Sequence, residues 1–465
     1  MSGAEKVRLS DHLDFSNGST SPLRGHNGRF PVYGANGVIG YATEHNARGP
    51  LIIVGRVGSY CGSLRYCSSD AWVTDNALVC RAKNPEESRY WYYALQTCGL
   101  NRYRSGSGQP LITHSVLRNA STWAVAASER RSVGEILGAL DDKIAANNRV
   151  IEAAERLMLA VVERVADRTP LSSFARRSTV YLPPREFDDT VAHFSFPAFD
   201  GGAQPKLVEG SSIKSNKLVL SEPCVLFPKL NPRIPRVWNV TSLPSEMALA
   251  STEFVVLRPV GVDASAVWSA VRQPDVLAVL QQRVAGMTGS RQRIQPDDLL
   301  GVPVRDIRRL ATGPAQALAS LGALCQSRRT ESARMARFRD ALLPDLTSGR
   351  LRLKGVTAMA VSAGSDRLPT KGYPSTMSLN IKNQRAVELI RELAARTGTN
   401  QTAAVEDAVV RRLSELDREE TARAESRRAA AEKTLRELDK LLTDDDKRAI
   451  QQNEVDLYDD NGLPR

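Results

Sequence analysis

The sequence has few cysteines and histidines and no long run of apolar residues. Its six cysteines form no Cys-x-x-Cys pair and its five histidines lie far apart, so it predicts neither a structural zinc site nor a disulfide framework. No apolar run reaches the roughly 18 residues that span a bilayer. The N-terminal residues Met1 to Lys6 lack the apolar core of a signal peptide. We therefore expect a protein of the reducing cytoplasm that binds neither a membrane nor a metal.

The motifs of common catalytic sites are also missing. There is no Gly-x4-Gly-Lys-Ser/Thr loop for a nucleoside triphosphate, no Gly-x-Gly-x-x-Gly turn after a strand, and no His-Glu-x-x-His. An adenine methyltransferase of the amino type needs an Asn/Asp-Pro-Pro-aromatic tetrad for the flipped base, and the nearest strings are Asn84-Pro85-Glu86 and Asn231-Pro232-Arg233. The sequence predicts no catalytic residue and no bound cofactor, which argues against a stand-alone DNA enzyme.

Negative charge is scarce in most of the chain. The 465 residues contain 63 Lys and Arg against 52 Asp and Glu, a net charge of +11. Residues 377–465 are slightly acidic, so the excess of positive charge lies in the first 376 residues. Clustered basic residues bind polyanions because they release counterions from a phosphate backbone. Double-stranded DNA is the expected partner, and a basic protein without such a partner is the alternative on charge alone.

A long amphipathic helix is predicted from Ser128 to about Val165. This stretch has no proline, and its apolar residues recur at helical spacing: Ile136, Leu137, Leu140, Ile144, Ile151, Leu157 and Val161. The apolar stripe is narrow and the other faces are charged, which is typical of a helix that packs on another helix. Residues 306–346 have the same pattern, with Leu318, Leu321 and Phe338 at corresponding places.

The two helices belong to a duplicated unit. An offset of 181 residues aligns Leu137 with Leu318, and Leu140 and Leu157 with Leu321 and Phe338. Upstream, Ile112 aligns with Ile294, and Arg56 with Lys229. A repeat this long indicates a repeated globule and helix. If the helices pack antiparallel, about 38 residues at ~1.5 Å each separate the two globules by up to ~57 Å.

The predicted fold class is α+β, with two pseudo-repeated globules joined by two long antiparallel coiled-coil helices. Head 1 covers residues 1–124 and head 2 covers residues 169–305. The spacer helices are 125–168 and 306–354, and a flexible linker follows at 355–376. A small strand and two helices occupy 377–417, and 418–465 form a helical and acidic tail.

Hydrogen-bond donors cluster at matching places in both heads. Arg and Lys read guanine edges, Gln and Asn read adenine, and Ser and Thr contact bases or phosphates. We therefore predict DNA contacts at Arg56, Ser59, Tyr60, Ser107 and Gln109 in head 1, and at Lys214, Lys217, Lys229, Asn231, Arg233, Arg236, Ser290, Arg291 and Arg293 in head 2. For any one residue, a solvated basic surface is the alternative.

Residues 1–354 resemble the DNA specificity subunit of type I restriction-modification systems. In the first half the resemblance rests on residues 30–37, 53–59 and 108–112 of head 1 and on 135–144 in the first helix. In the second half it rests on 213–217, 229–233, 251–254 and 289–293 of head 2 and on 341–350 in the second helix. It implies that the heads are target-recognition domains, each reading half of a split DNA target. It also implies that the helices dock methylation subunits, through Leu137, Leu140, Ile144, Leu157, Leu318, Leu321 and Phe338. A restriction or translocase subunit joins the complex, and S-adenosylmethionine and ATP are bound only by the partners.

Residues 377–465 resemble a VapB-type antitoxin with a ribbon-helix-helix fold. The resemblance rests on Met377 to Asn383, the following apolar helix, the stop at Gly398 and the ending at 458–465. It implies a strand that pairs with a second copy, so that the module dimerises and points Asn380 and Lys382 into a major groove. The acidic tail would wrap a PIN-type toxin, and a disordered solubilising end is the alternative.

Two functional hypotheses remain. In the first, the chain is a non-catalytic specificity subunit with an antitoxin-like module, in a cytoplasmic complex associated with the nucleoid. In the second, it is an antitoxin and transcriptional regulator whose specificity region has decayed. A methyltransferase gene beside this one would support the first, and a small PIN-type nuclease gene would support the second.

Overall fold

Short strands and helices form each head, and one long helix follows each head. The computed structural model describes residues 4–25, 28–104, 110–230, 234–283 and 293–351, so the predicted C-terminal module lies outside the described residues. Head 1 and its helix contain β1 (Ala4–Arg8), α1 (Leu9–His12), β2 (Leu13–Asn17), β3 (Phe30–Gly34), β4 (Gly37–Ala42), β5 (Leu51–Gly55), β6 (Leu64–Cys67), β7 (Trp72–Val73), β8 (Ala77–Ala82), α2 (Ser88–Thr97), α3 (His114–Asn119), β9 (Ser121–Val125) and α4 (Ala127–Glu163).

Among the described residues, head 2 contains more strands than head 1. Its elements and its helix are β10 (Arg168–Pro170), β11 (Ala175–Ser178), β12 (Tyr181–Leu182), β13 (Thr190–Phe194), α5 (Phe196–Asp200), β14 (Lys206–Glu209), β15 (Lys217–Val219), β16 (Cys224–Pro228), β17 (Trp238–Val240), β18 (Met247–Ala250), β19 (Phe254–Pro259), α6 (Ala264–Val271), α7 (Pro274–Arg283), α8 (Pro296–Leu300), β20 (Pro303–Arg305) and α9 (Thr312–Thr347). The mixed α and β content predicted from the sequence is confirmed.

Each head has a four-stranded sheet with a buried antiparallel pair at its centre. In head 1 the strand order is β2-β8-β5-β6, and in head 2 it is β11-β19-β16-β17. Every residue of β5 and of β16 is buried, which fits the continuous apolar composition of both strands. Smaller sheets complete the heads, with orders β4-β3-β7 and β1-β9 in head 1, and β12-β15-β18-β13-β14 and β10-β20 in head 2.

The two long helices lie side by side and run antiparallel. Along α4 the polar contacts to α9 pass from Asp141, which pairs with Arg339, through Asn147 to Glu155, which pairs with Arg329. Asn147 is buried and donates from Nδ2 to Glu331 Oε2 at 3.0 Å. With ~1.5 Å per residue, the 37 residues of α4 span ~55 Å. Head 1 packs at the start of α4 and the end of α9, and head 2 packs at their opposite ends.

The apolar stripe of the helices is divided between the heads and the helix seam. Leu137 is fully buried in the core of head 1, where Leu346 of α9 also lies, and Leu318 is fully buried in the core of head 2. The central seam is a small cluster of Ile151, Ala154 and Cys325, with Leu321 against it. Leu140, Ile144 and Leu157 were also predicted to lie in the helix-pairing stripe, and the structure buries each of them only in part.

Phe338 does not belong to the buried seam. Its side chain is 58% exposed, so the interpretation of this residue as part of a helix-pairing stripe is wrong. Regular helical spacing predicted an apolar face, but Phe338 is turned to solvent between Arg337 and Arg339, the second of which pairs with Asp141. The prediction that Phe338 contacts a docked subunit is compatible with this exposure and stays a prediction.

A buried arginine ties head 1 to the first turn of α4. The Arg130 side chain is 3% exposed and lies over the ring of Trp91. Its Nε donates to the carbonyl oxygen of Val125 at 3.0 Å, and its Nη1 donates to Glu87 Oε2 at 3.2 Å. Nη1 also lies 3.2 Å from His12 Nδ1. The guanidinium of Arg130 in α4 therefore contacts both the end of β9 and the start of α2.

Where head 2 packs on the helix pair, a glycine allows α6 to approach α9. A Cβ atom at Gly322 would lie 2.1 Å from Ser265 Oγ and 2.8 Å from Asn239 Nδ2. Only a residue without a side chain fits this crossing.

No helix among the described residues is long and apolar enough to cross a membrane. Over the same ranges, no group of three or more potential ligands could hold a metal ion. The six cysteines are all buried and free.

Candidate nucleic-acid interface

In head 1, two of the predicted DNA-contacting segments meet where β5 ends. The backbone N–H of Arg56 donates to the carbonyl oxygen of Asn76 at 3.0 Å, and the N–H of Ile112 donates to the carbonyl oxygen of Arg56 at 3.0 Å. Gly58, with a positive φ of 69°, turns the chain and donates to Pro110 at 3.1 Å. The residues after β5 and the residues before α3 are thus held as neighbouring backbones.

The side chains around this junction are mostly free to contact a ligand. Ser59 is exposed, and Tyr60 is 49% exposed. Arg56 is half-buried, and its buried Nε has no hydrogen-bond acceptor. Arg65 is exposed, and its Nη1 donates only to the carbonyl oxygen of Leu64. An unpaired guanidinium beside exposed hydroxyl groups is suited to a phosphate or a base edge.

Head 2 has the same junction at the matching place. The N–H of Lys229 donates to the carbonyl oxygen of Glu253 at 2.8 Å, and the N–H of Ile294 donates to the carbonyl oxygen of Lys229 at 2.9 Å. Isolated antiparallel bridges accompany both junctions, between Val57 and Leu111 in head 1 and between Leu230 and Arg293 in head 2. The residues aligned by sequence offset, Arg56 with Lys229 and Ile112 with Ile294, therefore occupy equivalent positions.

Three basic side chains gather at the junction in head 2. Burial is the main cause that lowers the pKa of Lys229, and the nearby charge of Arg177 lowers it further. Lys229 Nζ donates to the carbonyl oxygen of Thr252 at 2.6 Å. Arg293 is paired with Glu253, to which its Nη2 donates at 3.1 Å. The carboxylate of Glu253 opposes this shift of the pKa, and the three basic side chains outnumber it at the junction.

Arg177 was not among the residues that sequence reasoning selected. It lies on β11 beside Arg176, and both side chains are exposed. The adjacent arginine pair was the available signal, but it stands 52 residues before Lys229 in sequence. Only the pairing of β11 with β19, and of β19 with β16, brings Arg177 near the end of β16.

The other predicted contacts of head 2 have different surroundings. Lys214 is exposed, and its Nζ donates to the carbonyl oxygen of Ser211. Lys217 is buried, its Nζ donates to Ser215 Oγ at 2.6 Å, and burial lowers its pKa. Arg236 forms two hydrogen bonds to Asp200, at 2.7 and 2.9 Å, and lies over the ring of Phe196. In this structure Lys217 and Arg236 are engaged within the head.

Eight predicted contacts lie outside the described residues, so the structure does not place them. They are Ser107, Gln109, Asn231, Arg233, Ser290, Arg291, Asn380 and Lys382. The six in the heads lie within three residues of Pro110, Leu230 or Arg293 in sequence, and Gln109 and Asn231 are directly next to Pro110 and Leu230.

Three segments around the junction of head 1 contain no carboxylate, although the exposed Asp75 precedes Asn76, whose carbonyl oxygen accepts the hydrogen bond from Arg56. Residues 17–42, 51–69 and 97–128 contain no Asp or Glu. The arginines in these segments are Arg24, Arg29, Arg56, Arg65, Arg102, Arg104 and Arg118. The three segments are joined in space, because Ser63 Oγ donates to the carbonyl oxygen of Ala35 at 2.7 Å and Arg104 donates to the carbonyl oxygen of Cys61. In these segments the arginines outnumber nearby carboxylates, and such an excess of positive charge attracts a polyanion.

Comparisons with known proteins match the two parts of the chain to different families. A family model described as an Rv0623-like transcription factor matches residues 377–464. The chain is 82% identical over 89 residues to VapB42 of Mycobacterium tuberculosis, a protein named as an antitoxin; the match covers 19% of this chain and 100% of that protein.

Other matches are to specificity subunits. The chain is 24% identical over 137 residues to the specificity subunit of the type I restriction enzyme EcoprrI from Escherichia coli, which is 29% of this chain and 34% of that protein. The type I restriction-modification S subunit from M. genitalium shares the fold, with a TM-score of 0.51 at 13% identity over 74% of this chain and 96% of that one. Both resemblances predicted from the sequence are confirmed.

Proposed function

We propose that this chain, whose residues 377–465 belong to the VapB antitoxin family and whose described residues have the fold of a type I specificity subunit, recognises DNA for a type I restriction-modification complex. In this proposal each head reads one half of a split target. The chain is not an enzyme. Partner subunits supply the chemistry, and they bind the S-adenosylmethionine and the ATP.

The observation that carries the proposal is the repeated junction. The same pair of backbone hydrogen bonds forms at Arg56 in head 1 and at Lys229 in head 2. The heads that carry these junctions pack at opposite ends of the helix pair, in which α4 is ~55 Å long, more than the ~34 Å of one turn of B-DNA. Two equivalent basic sites on heads held apart in this way fit two separate contacts on one duplex better than one continuous contact.

The helix pair supports the docking of methylation subunits. Its outward faces are charged, and the exposed Phe338 adds an apolar contact on α9. The buried Asn147, bonded to Glu331 and Ser332 of α9, fixes the register of the two helices, as single buried polar residues do in coiled coils. A restriction subunit would join the same complex.

Half-site binding tests the proposal. The target would be found by sequencing methylated adenines in cells with and without the gene. We expect Arg56→Ala to weaken binding at one half of the target and Lys229→Ala at the other, each by ~5- to 150-fold, the range of a lost specific contact of ~1–3 kcal/mol. Arg185→Ala is the matched control, because Arg185 is 84% exposed and paired only with its neighbour Glu186. Equal losses at both halves would contradict the proposal.

A second function is proposed for residues 377–465, because their match to VapB42 covers the full length of that protein. This segment would bind a PIN-type toxin through its acidic tail, dimerise through its strand and contact DNA through Asn380 and Lys382. Co-expression with a PIN-type nuclease tests it: the full chain should restore growth, and a chain ending at residue 376 should not. Equal growth with both chains would exclude the function.

A further inference from the structure

A cleft opens in head 1 between the outer face of β1 and β9 and the C-terminal end of α9. Its volume is about 890 Å³, in the upper part of the ~300–1,000 Å³ range of ligand pockets. Lys6 and Trp123 line it, are exposed, and are direct partners in the antiparallel register of the two strands. Partners of this kind lie on the same face, with their Cβ atoms ~4.5–5.5 Å apart. A cation and an open aromatic ring therefore stand side by side on the wall of the cleft.

Trp123 is exposed to a degree that its size does not favour. It is 56% exposed, whereas Trp91, Trp238 and Trp268 are at most 4% exposed. A large aromatic side chain contributes most to folding when it is buried, and the exposed ones that proteins retain are enriched at the centres of binding surfaces. Tyr103 lines the same cleft and is half-buried. The cleft thus contains two aromatic rings, one of them largely open to a ligand.

Positive charge is in excess in the cleft. Lys6, Arg102 and Arg350 line it, and none of the described residues that line it is acidic. Two carboxylates lie close by. Asp345 pairs with Arg350 at 2.8 Å, and Glu5 lies on the opposite face of β1, where it is turned toward α4. Lys6 and Arg102 form no salt bridge with any described residue, so two cations of the cleft remain uncompensated.

The chain just after α2 connects the cleft with the junction of head 1. Arg102 and Tyr103 line the cleft. Arg104 follows them directly, and its side chain donates to the carbonyl oxygen of Cys61, in the turn after β5. The basic side chains of the junction, which begin at Arg56, therefore continue along this segment into the cleft. A polyanion held at the junction has a path of positive charge that leads to it.

The combination of rings and cations distinguishes between possible ligands. Proteins that bind single strands of nucleic acid follow the phosphates with basic side chains and stack the bases on aromatic rings. A duplex offers phosphates, but its bases are already stacked on each other, and a small inorganic anion has no ring at all. Thr97, Asn119 and Ser121 also line the cleft, and such side chains bond phosphates or base edges. Single-stranded nucleic acid uses every kind of side chain that the cleft presents.

We propose that this cleft binds single-stranded nucleic acid, with one base stacked on Trp123 and the neighbouring phosphates bound by Lys6 and Arg102. The inference goes beyond the proposed function, in which the heads read a duplex, because it assigns head 1 a second nucleic-acid site. The strand comes from DNA opened beside the target or from RNA, and the sugar distinguishes these two sources.

Titration of the full chain with a short oligothymidylate, and with an oligouridylate of the same length, tests the proposal. Binding is followed by fluorescence anisotropy of the labelled strand. Trp123→Ala should weaken binding of the preferred strand ~5- to 150-fold, the effect of one lost base stack, and Trp123→Phe should restore most of it because a ring is kept. Lys6→Ala or Arg102→Ala should also weaken binding and lower the slope of log K against log salt by ~0.7, the share of one phosphate contact on a single strand. Trp123→Ala should leave that slope unchanged.

Two exposed residues of head 2 supply matched controls. Tyr181 is 42% exposed, and Arg185 is 84% exposed and paired only with Glu186, so Tyr181→Ala and Arg185→Ala should bind both strands as the wild type does. Thermal melting establishes that each variant is folded. Tighter binding of the deoxy strand identifies DNA as the source, and tighter binding of the ribo strand identifies RNA.

Several results would overturn the inference. It is wrong if neither strand binds, or if Trp123→Ala binds them as tightly as the wild type does. It is also wrong if polyglutamate binds as tightly as the oligonucleotides and loses as much affinity in Trp123→Ala, since the cleft would then belong to an acidic protein segment. The proposed function is judged separately, because none of these titrations contains the split target. Single-strand binding in a chain that recognises no duplex target would count against the proposed function alone.

Discussion

Replacing Arg130 should loosen head 1 from the helix pair and leave head 2 unchanged. Arg130→Met keeps an apolar side chain of similar length against Trp91, but it removes the cation that faces Glu87 in the interior. The Glu87 side chain is 10% exposed. Breaking a buried ion pair by removing one partner costs ~3–5 kcal/mol, because the other charge stays buried without compensation.

Hydrogen exchange of the full chain, followed by mass spectrometry, measures this effect for each head. A loss of ~3–5 kcal/mol corresponds to ~150- to 5,000-fold faster exchange of amides that open with head 1, at 1.36 kcal/mol per factor of ten. Peptides from α2 and β9 should show the acceleration, and peptides from β16 and β19 should not. Arg131→Met is the matched control: Arg131 is the neighbouring residue, 59% exposed and paired with Glu135, so its replacement should leave exchange as in the wild type.

A second substitution separates the lost charge from lost packing. Glu87 Oε2 also accepts a hydrogen bond from Trp91 Nε1 at 2.9 Å, and a glutamine can keep that bond without a charge. Glu87→Gln combined with Arg130→Met should therefore recover most of the protection. Wild-type exchange in Arg130→Met, or a double variant no better protected than the single variant, would refute the reasoning.

Four further outcomes are expected. Burial, followed by the charge of Arg130, lowers the pKa of His12, and burial, followed by the charge of Lys217, lowers the pKa of His193. Because both histidines resist protonation only in the folded chain, the urea concentration at the unfolding midpoint should fall as the pH drops below ~6.5. A midpoint that rises at lower pH would contradict this. His193→Gln should reduce this pH dependence. Gly322→Ala should lower the free energy of unfolding by ~1–3 kcal/mol, and with it the melting temperature, because the added methyl group overpacks against Ser265. This loss is expected although alanine by itself favours a helix more than glycine does. A higher melting temperature would show that α6 and α9 do not cross there. Phe338→Asp should leave the melting temperature unchanged but reduce recovery of a methylation subunit in a pull-down, and unchanged recovery would exclude its docking role.

The sequence predicted the repeat well because a repeat is a relation within the sequence. The alignment of Arg56 with Lys229 became two equivalent junctions. Helical spacing likewise predicted both long helices, although the predicted range 306–354 begins six residues before α9 and ends seven residues after it. These features depend on local pattern, which the sequence contains in full.

The sequence could not predict which surface covers each apolar residue. Leu137 and Ile151 have the same spacing on one helix, but Leu137 is buried by head 1 and Ile151 by α9. Arg177 joins Lys229 only through strand pairing. Contacts between distant segments decide all of these cases.

The most direct test of the account is to recover DNA that binds the purified full-length chain from a pool of random duplexes. Two equivalent heads held at opposite ends of an antiparallel helix pair predict two conserved blocks of sequence separated by a constant number of unspecified bases. A single uninterrupted block, or two blocks at variable spacing, would contradict the central claim.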